Sequence, residues 1–235
     1  MIENIVPAVV ACAEMFADPP NIELLPEEEA VVARAVSKRR REFATARACA
    51  RSALAQLGVA PAPILPGERG APQWPSGIVG SITHCAGYRA AALALSRDVL
   101  TIGVDAEPDD ALPDGVLATI SLPAERARLR DLASAAPGTS WDRLLFSAKE
   151  ATYKAWFPLA RRWLGFEDAD ITINPSDGTF HSSLLVTGPT VNGSPLSGFT
   201  GRWLTSDGLI LTAITVRTEP GQFETEGNEF DVIAG

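Results

Sequence analysis

Asp105 and Glu107 stand two residues apart at the end of the run Ile102-Gly103-Val104-Asp105-Ala106-Glu107-Pro108. In an extended strand residues i and i+2 face the same side, so both carboxylates can address one ion, and hard oxygen donors suit a divalent cation such as Mg²⁺. Paired acids also occur in ordinary strand-end turns, so the metal reading needs a third ligand. Glu150 can supply it. Arg143, Ser147, Glu150 and Lys154 fall at i, i+4, i+7 and i+11 of a helical pattern from Ser140 to Phe157, beside an apolar stripe of Leu144, Ala148, Ala151 and Ala155. Glu150 and Lys154 are then one turn apart. The spacing fits a surface ion pair worth about 0.2–0.5 kcal/mol to the helix. It equally fits a site in which Glu150 joins the two acids around Mg²⁺ while Lys154 reaches a phosphate held by the same ion.

Two further features could meet a phosphate. Thr83 and His84, in Gly80-Ser81-Ile82-Thr83-His84-Cys85, offer adjacent donors near a strand end, although a lone histidine beside an apolar strand also reads as a satisfied core residue. Arg34, Lys38, Arg39, Arg40, Arg41, Arg47 and Arg51 lie within one helical segment of a chain that has 20 basic residues in all and a formal charge of −9. Such a cluster is either a solvated cationic face or a binding surface for a small polyanion. The overall acidity excludes a general nucleic-acid binder. There is no GxxxxGK[ST], GxGxxG or GxSxG motif, which removes P-loop, dinucleotide-fold and nucleophile-elbow chemistry.

The elements that must position these residues are legible in outline. Pro26 and a Glu triplet open a helical pattern that runs to about Leu57 and closes at Gly58 and Pro61. A Pro- and Gly-rich loop, Pro61 to Pro75, follows. Short β-like runs at Ile78–Ile82, Arg89–Leu95 and Leu100–Val104 predict an antiparallel meander. A helix beginning near Pro123 and the Ser140–Phe157 helix come next, with Pro158 and Gly165 marking the exit. Strands are predicted at Ala169–Ile173, Phe180–Val186, Phe199–Leu204 and Leu209–Val216. Helix then strands, twice over, predicts an α+β fold of two similar halves with small antiparallel sheets, long helices and a ligand cleft between them. The boundaries are 1–108, 109–216 and an acidic tail, 217–235, carrying Glu219, Glu224, Glu226, Glu229 and Asp231.

With 46% hydrophobic residues the 235-residue chain can bury a core without staples. Cys12, Cys49 and Cys85 lack CxxC spacing, and neither a disulfide framework nor a zinc site is indicated. No apolar run is long enough to span a membrane, and no basic-then-apolar leader opens the sequence, so a cytoplasmic protein is expected.

Taken together these residues resemble the Sfp-type 4′-phosphopantetheinyl transferases, in particular the actinobacterial members that activate polyketide and non-ribosomal peptide synthases. The resemblance spans about Lys38 to Phe166. Its most specific parts are Ile102-Gly103-Val104-Asp105-Ala106-Glu107, similar to the family's (I/V)G(V/I)DxE, and Phe146-Ser147-Ala148-Lys149-Glu150-Ala151-Thr152-Tyr153-Lys154, similar to (F/W)xxKExxxK. The resemblance implies a monomeric pseudo-dimer that moves phosphopantetheine from coenzyme A to a serine of an acyl or peptidyl carrier protein. It further implies Asp105, Glu107 and Glu150 on Mg²⁺, Lys149 and Lys154 on the pyrophosphate, and Glu150 as base. Arg39, Arg40, Arg47, Arg69, Thr83 and His84 would contact coenzyme A. A Mg²⁺-dependent phosphohydrolase using the same acids, and a non-catalytic coenzyme A-binding module, are the competing expectations.

Overall fold

The computed structural model describes residues 1–191 and 193–218. In chain order the main elements are β1 (Ala11–Met15), α1 (Pro26–Val32), α2 (Ser37–Gln56), β2 (Ile78–Cys85), β3 (Tyr88–Leu95), β4 (Val99–Pro108), α3 (Val116–Ile120), α4 (Pro123–Ala135), α5 (Trp141–Ala160), β5 (Ala169–Asn174), β6 (Thr179–Leu184), β7 (Thr190–Val191), β8 (Ser194–Pro195), β9 (Gly198–Ser206) and β10 (Leu209–Arg217). Two antiparallel sheets form, ordered β1-β3-β2 and β4-β10-β9-β6-β5, with β7 and β8 as a separate two-residue ladder. Past residue 218 the expected acidic tail lies outside the described residues.

Period-two alternation explains how the sheets stack. Tyr88, Ala90, Ala92 and Ala94 of β3 share a core with Ile102, Val104 and Ala106 of β4 and with Leu209, Leu211 and Ala213 of β10. The intervening β3 residues Ala91 and Leu93 pack on Ala50, Ala53 and Leu54 of α2. On the far side, Ile210 and Ile214 of β10 pack with Leu144, Ala151, Ala155 and Trp156 of α5. The order of layers is therefore α2, first sheet, second sheet, α5. Alanine-rich β3 lets helix and sheet approach from both sides.

The structure corrects the predicted meander. β4 pairs not with β3 but with β10, register Asp105↔Thr212 and Glu107↔Ile210. The strand that a boundary at 108 assigns to the first half is thus ladder-bonded into the second sheet. Its outer edge is sealed by side chains of β2: Val104 N donates to Ser81 Oγ at 3.1 Å and Ala106 N to Thr83 Oγ1 at 2.9 Å. Two hydroxyls satisfy edge N–H groups that would otherwise be buried without partners.

The single helix predicted from Pro26 breaks at Ala33–Val36, where Val36 is extended. The break lets α1 fold back so that Glu29 meets Arg40 of α2, while fully buried Glu28 accepts from Arg51 Nη1 at 2.7 Å, Ile64 N at 3.0 Å and Leu25 N at 3.1 Å. An equivalent device recurs in the second half. Glu125, also buried, accepts from Leu122 N at 2.7 Å, Ile171 N at 2.7 Å and Lys149 Nζ at 2.9 Å. Leu25-Pro26-Glu27-Glu28 and Leu122-Pro123-Ala124-Glu125 therefore play one role twice. β1 forms ahead of the first element predicted from the sequence, and α5 continues through Pro158 to Ala160 before Arg161 closes it with positive φ.

Candidate active site

Gly103 decides how the site is assembled. On β4 it faces α5, and a Cβ there would lie 2.0 Å from Ala151 O and 2.7 Å from Ala155 N. Only a residue without a side chain lets the helix backbone settle on the strand. Thr101, two residues earlier on the same face, donates to Ala155 O at 2.9 Å, and Ser147 and Thr212 hydroxyls meet at 2.8 Å. The polar stripe of α5 thus turns toward β4 and β10. Lys154 pairs with Asp105 Oδ1 at 2.7 Å and donates to Val104 O at 3.0 Å, which decides against the surface-pair reading with Glu150. Arg143 Nη1 binds Glu107 Oε2 at 3.0 Å while its other nitrogens hold the carbonyls of Asp110 and Ala111.

Three carboxylates converge electrostatically. Burial first and Asp105 second push the Glu107 carboxyl above its ordinary value, and the same two causes raise Glu150. Asp105 is nearly buried, and its Oδ2 has no hydrogen-bond partner among the described residues. A buried carboxylate oxygen left unpaired, next to two acids it destabilises, fits a hard cation. Among the described residues no three His, Cys, Asp or Glu stand together as a finished cage. Mg²⁺ commonly takes one or two carboxylates and completes its shell with water and substrate phosphate, so an incomplete protein cage suits it.

Cations approach from the first half. Arg39 Nη1 lies 3.2 Å from His84 Nε2, and Thr83 Oγ1 lies 3.4 Å from Asp105 Oδ1. The His84 ring is solvent-accessible by area, yet protein crowds it closely: burial first, then Arg39 and Lys154, push its imidazole below the ordinary value. Arg39 and Lys154 therefore form one electropositive zone beside the acids, with His84 as a hydrogen-bonding group within it, as a polyanion site requires. Arg69, at positive φ in the Pro61–Pro75 loop, reaches the second half and sits 5.5 Å from the Trp163 ring. Next to Glu150 opens a cavity of about 90 Å³, walled by Tyr153, Trp163, Leu164 and Phe166, with Tyr153 OH buried and unpartnered among the described residues.

Other expected contacts are engaged elsewhere. Arg40 is held by Glu29, so of the adjacent pair it is Arg39 that faces His84. Arg47 gives Nε to Ile64 O at 2.8 Å and stacks 4.0 Å from the Phe43 ring; burial lowers its value to about 10. Thr83 spends its oxygen on Ala106 N and its proton on Asp105. Lys149 is almost fully buried, and its three donors go to Glu125, Phe166 O and Ala169 O, leaving none for a phosphate. Gly103, Ser81 and Glu125 received no role from the sequence, and Arg143 was placed on the polar stripe without its partner Glu107; a glycine inside a β-branched strand was the one available signal of close approach.

Acids and cations drawn from the two halves to one place, with an apolar cavity adjoining, suit a protein that handles a phosphate-linked group. Residues 27–94 match the family model for the 4′-phosphopantetheinyl transferase N-terminal domain, and residues 101–192 match that for the 4′-phosphopantetheinyl transferase superfamily. The chain is 52% identical over 227 residues to the 4′-phosphopantetheinyl transferase Svp of Streptomyces mobaraensis, covering 95% of this chain and 92% of that protein. It is 54% identical over 224 residues to the 4′-phosphopantetheinyl transferase PptT of Mycobacterium tuberculosis (92% and 98% covered). Over 222 residues it is 56% identical to the 4′-phosphopantetheinyl transferase Npt of Nocardia iowensis (91% and 99% covered). The chain belongs to the 4′-phosphopantetheinyl transferase superfamily and is an enzyme that transfers phosphopantetheine, with coenzyme A as co-substrate, to carrier proteins. These relationships do not favour the hydrolase or the non-catalytic module.

Proposed function

We propose that the enzyme converts apo acyl and peptidyl carrier proteins of polyketide and non-ribosomal peptide assembly to their holo forms, at a magnesium site made by Asp105, Glu107 and Glu150. The observation that carries this reading is the unpartnered, buried Oδ2 of Asp105 among acids it destabilises, faced by Lys154, His84 and Arg39. Bound there, Mg²⁺ would neutralise the pyrophosphate of coenzyme A and polarise its phosphoryl oxygens.

Arg39 and His84 bind the phosphates from the first half, and Lys154 offsets charge building on the leaving side, while Arg69 flanks the opening. The cavity beside Glu150 takes the pantetheine arm, whose mostly apolar, flexible chain matches aromatic walls with the Tyr153 hydroxyl as a polar contact. The carrier serine oxygen attacks the phosphorus attached to pantetheine. A new O–P bond forms, the bond to the adenosine-bearing phosphate breaks, and 3′,5′-adenosine bisphosphate leaves with the electron pair. Glu150 takes the serine proton, and no internal hydrogen bond competes for its carboxylate among the described residues. Alignment and charge stabilisation supply the acceleration.

Both halves reside in one chain, which supports action as a monomer divided at the β4 strand. Among the described residues no helix is long and apolar enough to cross a membrane; the use of coenzyme A and carrier proteins supports action in the cytoplasm. Glu150→Gln keeps shape and loses the base and ligand, so it should load no phosphopantetheine onto apo carrier, measured by intact-protein mass, while its urea midpoint stays at or above that of the unsubstituted enzyme. Undiminished loading would overturn the assignment. Release of adenosine bisphosphate from coenzyme A without carrier would instead indicate hydrolysis.

A further inference from the structure

Lys149 precedes Glu150 in α5 and both border the cavity, yet the donors of Lys149 are all turned into the second half. Its ammonium is clamped by Glu125 at 2.9 Å and by Ala169 O at 2.9 Å and Phe166 O at 2.5 Å. The side chains of the ion pair are 2% and 0% exposed. A buried pair of this kind is weak support for stability, because apolar residues of similar volume often do as well. What it does supply is geometry. Glu125 fixes the starts of α4 and β5 through Leu122 N and Ile171 N, and Lys149 fixes the backbone at Phe166 and Ala169. Those two residues, with Trp163 and Leu164, wall the cavity beside Glu150.

The first half contains the matching device. Glu28 holds Ile64 N, and Arg47 holds Ile64 O, where the chain enters the loop that carries Arg69. The two devices therefore fix the two segments whose members Arg69 and Trp163 meet, the guanidinium 5.5 Å from the ring. We propose that Lys149 and Glu125 are positioning residues for the transfer: through the 163–169 backbone they set the cavity wall opposite Glu150, and Lys149 makes no contact with the phosphates of coenzyme A. This builds on the role given to Glu150 above, whose own failure would appear separately as undiminished loading by Glu150→Gln.

The test compares Lys149→Met, Glu125→Gln and the double variant Glu125→Gln/Lys149→Met in the full chain. Three quantities are read at a temperature where circular dichroism shows each variant folded: the dissociation constant for coenzyme A by calorimetry without carrier, kcat for carrier loading, and amide hydrogen exchange of residues 163–169. A positioning role predicts kcat at least tenfold lower in Lys149→Met, faster exchange in that segment, and a change in coenzyme A affinity and rate that Glu125→Gln shares. It also predicts a double variant no slower than Lys149→Met, since both changes release one wall. Should Lys149→Met not fold, the double variant, which leaves no unpaired buried charge, carries the same comparison. Coenzyme A affinity weakened tenfold or more by loss of Lys149, with Glu125→Gln at full affinity and rate, overturns the proposal in favour of direct phosphate contact. Unchanged exchange at 163–169 overturns it as well.

Discussion

Adding one methyl group at Gly103 puts the placement of α5 to a direct test. In Gly103→Ala the new Cβ would stand 2.0 Å from Ala151 O, 2.7 Å from Ala155 N and 3.0 Å from Ala155 Cβ. Two of those atoms are helix backbone, which cannot rotate aside, so α5 must lift by about 1 Å to restore normal contact distances. Overpacking of this kind costs about 1–3 kcal/mol. In a chain this size each kcal/mol lowers Tm by roughly 2–4 °C, so the expected fall is on the order of 4–8 °C for a loss near 2 kcal/mol. The same displacement stretches Lys154–Asp105, 2.7 Å, and Thr101–Ala155 O, 2.9 Å, which bridge the interface on either side of Gly103. Misplacing catalytic groups by about 1 Å can cost roughly 100-fold in rate. Urea denaturation gives the stability loss, and single-turnover loading of a carrier, followed by mass spectrometry, gives the rate. A variant within about 0.5 kcal/mol of the unsubstituted enzyme, the ordinary span of a neutral substitution, and equally fast would refute the reasoning that Gly103 seats the helix.

Ser81→Ala and Thr83→Val each strand a buried N–H of β4, so each should lose about 1–3 kcal/mol in urea denaturation; a loss near zero would mean that the hydroxyls do not seal the sheet edge. Arg39→Ala should weaken coenzyme A binding about tenfold by calorimetry, since a hydrogen bond to a charged group is worth about 1.5–3 kcal/mol, whereas Arg40→Ala, which removes only the Glu29 contact, should leave affinity near that of the unsubstituted enzyme. The His84 imidazole, held below 6.5 in the folded protein by burial and then Arg39, binds its proton more readily in the unfolded chain. Stability is therefore fully present above pH 6.5 and is lost as pH falls through that value toward the folded one. The slope of the urea midpoint over that window should shrink in His84→Gln, and an unaltered slope would assign it to another group.

Which candidate residues share a face was written locally and was read locally. Asp105 and Glu107 on one strand face, and the stripe of Arg143, Ser147, Glu150 and Lys154 on one helix, follow from periods of two and 3.6, which depend on no other part of the chain. The α+β pattern and most of the strand positions were legible for the same reason. Local pattern failed where the partner was distant. Nothing near β4 says that it leaves β3 for β10, because an antiparallel ladder across about a hundred residues is settled by which apolar faces can be buried together.

Side-chain partners beyond hydrogen-bond reach in sequence were equally invisible. The spacing of Glu150 and Lys154 offered a surface pair or a site, and the seating of α5 on Gly103 chose Asp105 as the partner of Lys154. Adjacent Arg39 and Arg40 were indistinguishable until the turn between α1 and α2 brought Glu29 to one and left His84 to the other. Lys149 and Glu150 are neighbours in the chain, but about 100° of helical rotation separates them. By itself the sequence determined which groups are available and which share a face. The tertiary structure alone decided which charges are neutralised within the protein and which remain for substrate, because that depends on burial and on partners that meet only when the two halves close.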